Sequence, residues 1–249
     1  MTKILHRLVF PYYHSTGNAS YDWAGKIVAE ERPRRLLDVG CGDGSRLFQY
    51  LKEQPPVFCG VEGNPAQAEK ARQRKIEISA FDLNGKWPYA DNSFDCIHGS
   101  QIIEHIHNTR QYLAETYRTL APGGVMVMTS ENLTSLLNLG AMILGYTPFS
   151  LLTVGGWYVG NPFGLHYGDD EQAQIKGFPM EDPAFSGVAG HNRVLSVRAA
   201  EDLLRKIGFV EIDVSSIGLM PIPQWLGKPL EGLMRRRGHW LLIRARKPK

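Results

Sequence analysis

The chain has 249 residues, 43% hydrophobic and 21% charged. That is enough to bury a full core, and it excludes a disordered tail or a disulfide-stapled mini-protein. Net charge is +3, yet Arg235–Lys249 holds seven basic residues and no acid, which leaves 21 basic against 25 acidic side chains, a net −4, in residues 1–234. This balance gives no ground for nucleic-acid binding; a basic end is ordinarily a solvated strand, although it would also suit phosphate or an anionic membrane surface.

Met1–His14 interleaves apolar residues with His6, Arg7 and Pro11, so it lacks the uninterrupted apolar region of a signal peptide. A helix is predicted over 18–30, a strand over 35–39, a helix over 44–53 and a strand over 57–61. Asn64 as N-cap and Pro65 at the first helical position open a helix over 65–74. Strands follow at 76–80 and 94–99, a helix at 109–120 and a strand at 124–130. This alternation is that of a doubly wound α/β sheet. Cys41, Cys59 and Cys96 are an odd number without a C-x-x-C pair, which argues against a disulfide framework and fits a reducing, cytoplasmic setting.

The pattern breaks after Glu131, because no Asp, Glu, Lys or Arg occurs from Asn132 through Gly168. Asn138, Pro148, Gly155 and Pro162 interrupt that apolar stretch, so it is not read as a membrane span. Regularity returns with Val197, Ala200, Leu203, Leu204 and Ile207 at helical spacing, Gly208 as a stop, and strands over 209–217 and 239–246. The expected organisation is one domain built from 1–131 and 191–249, with 132–190 inserted as a cap over an acceptor site.

Leu36–Gly44 reads L-L-D-V-G-C-G-D-G, a strand running into glycines ahead of a helix. Gly40, Gly42 and Gly44 allow a ligand to approach bare backbone, and Glu62 stands where open α/β folds place a carboxylate for ribose hydroxyls. The G-x-G-x-G spacing differs from the dinucleotide pattern. Asp38 and Asp43 would also repel a pyrophosphate and attract a cation. S-adenosylmethionine, with its sulfonium and α-ammonium, has the matching charges.

On these residues the chain resembles the class I S-adenosylmethionine-dependent methyltransferases, in particular the type 11 and ubiquinone-biosynthesis-like branch. Trp87–Asp95, W-P-Y-A-D-N-S-F-D, and Leu120–Gly124, L-A-P-G-G, add to the likeness. The resemblance implies a seven-stranded mixed sheet of order 3-2-1-4-5-7-6. It places the methionine part of the cofactor at Asp38, Gly40, Cys41 and Gly42, the ribose at Glu62 and Gly63, and the adenine at Asp82 and Leu83. Ser100 and Gln101, after the fourth strand, complete the expected cofactor site.

A hydroxyl acceptor needs its proton removed or polarised as the methyl group arrives. The candidates are Glu104, His105 and the remote His191. Glu104-His105 resembles the E-x-x-E-H segment of ubiquinone-type O-methyltransferases and small-RNA 2′-O-methyltransferases, in which a divalent metal is held, but the leading acid is Gln101 here. An amide is a weaker ligand, so a metal stays an alternative to acid–base action. A bland reading stands beside both, with Glu104 a capping acid and His105 half-buried; His98, His107 and His166 read as surface or packing histidines, and Cys41 and Cys96 as small buried residues.

The function expected is methylation of a small or lipophilic acceptor, at oxygen. The alternatives are a catalytically silent cofactor-binding module and an RNA 2′-O-methyltransferase, and peripheral membrane contact is a further expectation.

Overall fold

The computed structural model describes residues 2–151, 160 and 191–249, with side chains described from residue 11 onward. His166 and most of the expected cap lie outside the described residues.

Seven strands form one sheet: β1 (Arg35–Val39), β2 (Val57–Val61), β3 (Glu77–Ser79), β4 (Phe94–Ser100), β5 (Leu120–Glu131), β6 (Val210–Ile217) and β7 (Trp240–Arg246). Their order is β3-β2-β1-β4-β5-β7-β6, as the resemblance implies. The first five run parallel, and β7 lies antiparallel between β5 and β6. Every parallel strand therefore ends at the same edge, where Val39 aligns with Val61 and with Gly99, and Ser100 with Thr129.

The helices are α1 (Thr2–Glu31), α2 (Ser45–Phe48), α3 (Pro65–Gln73), α4 (Thr109–Thr119), α5 (Leu136–Ile143), α6 (Val197–Ile207) and α7 (Gln224–Leu230). Three begin as read: Asn64 accepts from the Ala66 and Gln67 amides, Asn108 from Gln111 and Ser196 from Ala199, filling orphan donors of the first turn. Gly208, at φ +112°, ends α6 as a left-handed stop should. Three readings change. Helix α1 runs through Pro11, with Tyr12 and Tyr13 packed against the small cluster of Leu137, Ala141, Phe149 and Met220. The helix expected over 44–53 shortens to one turn, and the chain turns again before Pro55-Pro56. The apolar stretch after Glu131 opens with α5, which Ser135 caps.

Alternate strand residues feed two cores. Leu36, Cys96, Val125 and Val127 face Ala24, Val28 and Ala71, whereas Leu37, Val39, Ile97, Met126 and Met128 face Tyr112, Leu113, Val197 and Leu204. The period of two along each strand produces this division. Glu31 at the end of α1 ties to β7 through Arg244 at 2.5 Å and Arg246 at 2.6 Å.

Trp87 anchors the approach to β4. It is 1% exposed, its amide donates to Glu115 at 2.8 Å, and its ring meets those of Tyr112 and Phe81. Trp87→Ala should lower stability by about 3–5 kcal/mol through the cavity it leaves, read as a lower urea midpoint. A loss within about 0.5 kcal/mol, the range of an ordinary surface change, would refute this packing role.

Candidate functional site

The glycine loop leaves β1 at Val39 and is pinned at once. The Gly40 amide donates to the Val61 carbonyl at 2.8 Å, so the loop lies across the end of β2. Gly40 has φ +70°, and a Cβ there would come within 2.1 Å of Ile102 Cδ1. Gly42 has φ +56° with open space beside it. The first glycine is thus demanded by packing and conformation together, the second by conformation and access.

Glu62 closes the loop from the end of β2. Its Oε2 accepts the Gly42 amide at 2.8 Å and its Oε1 the Asn64 amide at 2.7 Å. Burial pushes its carboxyl above the usual range, against the lowering effect of those amides. Asp38 is 3% exposed, and its Oδ1 lies 2.6 Å from His98 Nδ1, while His98 Nε2 is 2.9 Å from Ser100 Oγ. His98 is therefore a buried link between β1 and β4, not a surface histidine, because parallel pairing sets it beside Asp38.

Asp43, expected to offer a second carboxylate to a cation, is instead engaged. It accepts from the Ser45 amide and hydroxyl and pairs with Arg74 at 3.6 Å. Gly63 is exposed next to Glu62. Asp82 is exposed and accepts from the Asn84 amide and side chain, while Leu83 packs half-buried on the core. Gln101 adopts φ +56°, and its amide donates to Thr129 Oγ1 at 3.2 Å. The buried Cys41 and Cys96 thiols are pushed up by burial, as suits packing residues.

Past β4 the chain makes a 3₁₀ turn, Ile103–His105. In an α-helix, consecutive side chains would diverge by about 100°; in this turn, ligand-capable atoms of Glu104, His105 and His191 lie within 4.8 Å of one another. The Glu104 carbonyl accepts the Asn192 and Arg193 amides at 2.7 and 3.0 Å, which brings His191 in from far along the chain. The His105 and His191 rings meet edge to face at 4.9 Å. Glu104 is fully buried; Oε2 accepts from Ser130 Oγ at 2.9 Å, and Oε1 has no hydrogen-bond partner among the described residues. Burial pushes its carboxyl up to about 7, although His191 acts to lower it.

Three neighbours, Glu131, Ser130 and His239, escaped the sequence reading. Glu131, at the end of β5, accepts from Tyr13 Oη at 2.9 Å and lies 3.6 Å from both His191 Nδ1 and His239 Nε2. Ser130 adjoins Glu104. An acid at the end of the fifth strand was a usable signal for Glu131; His239 needed the β5–β7 pairing that sets Glu131 opposite Trp240. Among the N-terminal aromatics, Tyr13 reaches Glu131, Tyr21 lies beneath Arg46, and Trp23 packs on the sheet.

The glycine loop, Glu62, Gln101, Glu104, His105, His191 and Glu131 stand at the carboxyl edge of the parallel strands, where open α/β sheets bind ligands. A cleft of about 980 Å³ lined by Lys26, Glu30 and Pro55 opens at the other end of β1 and β2 and holds none of them. Bare backbone at Gly40–Gly42 beside a buried, amide-held carboxylate fits S-adenosylmethionine. The Glu104, His105 and His191 ligand atoms fit a divalent ion by proximity, while the Gln101 side-chain amide is engaged with Thr129 Oγ1.

Comparison with known proteins agrees with this frame. A model of the methyltransferase domain family matches residues 19–214. The ubiquinone/menaquinone biosynthesis C-methyltransferase of Dinoroseobacter shibae is 33% identical over 119 residues, 45% of this chain and 46% of that protein. The probable chloroplastic tocopherol O-methyltransferase of Oryza sativa is 30% identical over 110 residues, 41% of this chain and 30% of that protein. The matched segments thus span less than half the length of these curated relatives. A Thermotoga maritima S-adenosylmethionine-dependent methyltransferase, described as a possible histamine N-methyltransferase, shares the fold with TM-score 0.57 at 23% identity, covering 99% of both chains. The domain match runs through the glycine loop, Glu62 and the 3₁₀ turn, on a sheet of the expected order, and the chain belongs to the class I S-adenosylmethionine-dependent methyltransferases.

Proposed function

We propose that the protein transfers a methyl group from S-adenosylmethionine to a hydroxyl oxygen of a small or lipophilic acceptor. The observation that carries this reading is the convergence of Glu104, His105 and His191 at the edge of the sheet that also bears the glycine loop. When bound, the cofactor supplies an electrophilic methyl group on a cationic sulfur. Asp38, Gly40, Cys41 and Gly42 hold its methionine end, Glu62 and Gly63 its ribose, Asp82 and Leu83 its adenine, and Ser100 and Gln101 close the site from β4.

Much of the acceleration comes from aligning the acceptor and excluding water. What remains is a proton. Glu104 Oε1 is available to take it from the acceptor hydroxyl, and His191 stands beside Glu104 to share the resulting charge. Residues 132–190 serve as the acceptor cap; in support, the Ser150 carbonyl accepts from His191 Nδ1 at 2.9 Å, linking the start of this region to the catalytic histidine.

The test is incubation with methyl-labelled S-adenosylmethionine and panels of phenols, hydroxylated lipids and amines, with products read by mass spectrometry. Label on a hydroxyl is expected; label on carbon or nitrogen would overturn the acceptor atom, and cofactor binding without any turnover would point to the silent module. The cluster of three donors favours one second reading, a divalent metal that polarises the hydroxyl. Activity is expected to survive exhaustive chelation. Loss restored by magnesium, manganese or zinc would replace the acid–base reading with the metal one.

A further inference from the structure

Far from the catalytic cluster in sequence, α7 and the turn after it project large apolar side chains into solvent. Trp225 is 75% exposed and Leu233 87%, with Leu226 and Leu230 also exposed. At the end of α5, Ile143 is 84% exposed and the following Leu144 72%. Single exposed apolar residues are ordinary, but six large ones on two short neighbouring elements are not.

The two elements are held by one anchor. Gly227 of α7 is buried, and a Cβ there would lie 3.2 Å from Tyr12 Oη, while Tyr12 packs on the cluster of Leu137, Ala141, Phe149 and Met220. The Leu136 amide, at the start of α5, donates to the Arg237 carbonyl at 2.9 Å. Both apolar tips therefore stand on the same small core.

Charge selects the occupant. Lys228, Arg235, Arg236 and Arg237 are exposed in the same segment, and α5 lies in a stretch without any charged residue. The one acid between Gly218 and Arg237 is Glu231, whose Oε1 is taken by the Gly218 amide at 2.8 Å. Arg235 meets Asp213 at 2.7 Å and Arg236 meets Glu201 at 3.6 Å, but both arginine side chains remain half or more exposed, so these pairs are weak and readily exchanged. A Trp beside leucines, in a segment that carries four exposed cations, matches the interface of an anionic bilayer, where the indole and aliphatic groups enter the headgroup layer and the arginines meet lipid phosphates.

We infer that Trp225, Leu226, Leu230 and Leu233, with Ile143 and Leu144, form a docking surface for an anionic phospholipid membrane. The inference extends the proposed lipophilic acceptor but does not depend on it, since binding to lipid is measured without turnover.

The experiment is flotation of the full chain with vesicles of phosphatidylcholine alone or mixed equally with phosphatidylglycerol. Binding to the anionic vesicles is expected to exceed binding to the neutral ones at least tenfold and to weaken with salt. The double variant Trp225→Ser/Leu233→Ser should lose at least tenfold of that binding, and Arg235→Gln/Arg236→Gln should lose the preference for anionic lipid. Cofactor affinity, measured by calorimetry, should be unchanged in both and serves as the check on folding. Should Trp225→Ser/Leu233→Ser fail that check, Ile143→Ser/Leu144→Ser takes its place with the same expectation. Absence of vesicle binding, or binding that survives these changes in a folded variant, would overturn the inference. So would light scattering that shows a dimer dissolved by the same substitutions, which would make the surface a contact between two copies.

Discussion

Glu62→Ala is expected to weaken S-adenosylmethionine binding about 10- to 100-fold. Both carboxylate oxygens hold loop amides, from Gly42 and Asn64, and hydrogen bonds to a charged group contribute about 1.5–3 kcal/mol each. Losing one such bond's worth of loop order corresponds to tenfold, since about 1.4 kcal/mol is tenfold in affinity. Gly42→Val should act on the same loop by a different route. Nothing lies within 4 Å of the added Cβ, but φ is +56°, a conformation that a β-branched residue resists. Titration calorimetry with the cofactor and its demethylated product is the check. Unchanged affinity in both variants, or binding of NAD without S-adenosylmethionine, would remove the loop from this role.

Glu104→Gln should leave cofactor affinity intact and lower kcat by about 10²- to 10⁴-fold, the usual contribution of a positioned proton acceptor. Ser130 Oγ can still donate to the amide oxygen, so the fold should persist. Because burial pushes the Glu104 carboxyl up to about 7, the wild-type rate should rise with pH and level off above about 7, and the residual rate of the variant should lack this step. The stability consequence has a definite sign. Unfolded Glu titrates near about 4.3, so between about pH 4.5 and 7 the native state retains a proton that the unfolded state has released. Through that window this carboxyl lowers native stability progressively as pH rises, by on the order of 3 kcal/mol above pH 7. The variant should escape the loss, and the gap between the two urea midpoints should open over that window. A gap independent of pH would show that Glu104 does not titrate there. Single alanine changes at His105 and His191 should likewise lower rate without lowering cofactor affinity.

What could be read from the sequence was what local chemistry encodes. Asn64-Pro65 and Gly208 announce helix ends because caps act within one turn, and Leu36–Gly44 announces a ligand loop because glycine and carboxylate do their work at close range. The sheet order came with the family likeness and the structure bears it out. Periodicity lost the length of α1, where Pro11 signals an end that packing overrides, and it offered no helix at Gln224–Leu230. The site was legible only along single segments. Glu104 and His105 could be singled out, but their convergence depends on a 3₁₀ turn and on two amides from Asn192 and Arg193. His98 reads as an ordinary histidine until β1 and β4 pair, and Glu131 with His239 becomes a contact only when the antiparallel strand lies beside β5.

That antiparallel strand also governs the order in which the molecule can be completed. β7 sits between β5 and β6 in the sheet yet is the last of the seven to be synthesised. Until Trp240–Arg246 has emerged from the ribosome, β6 has no neighbour with which to pair, β5 presents a bare edge, and Glu31 lacks both of its arginine partners. A nascent chain is then a half-sheet of five parallel strands with an open hydrogen-bonding edge, the kind of surface that recruits chaperones or stray strands. Closure is a long-range event that joins residue 31 to residues 244 and 246, so productive folding is limited by it and not by the early, local βα units.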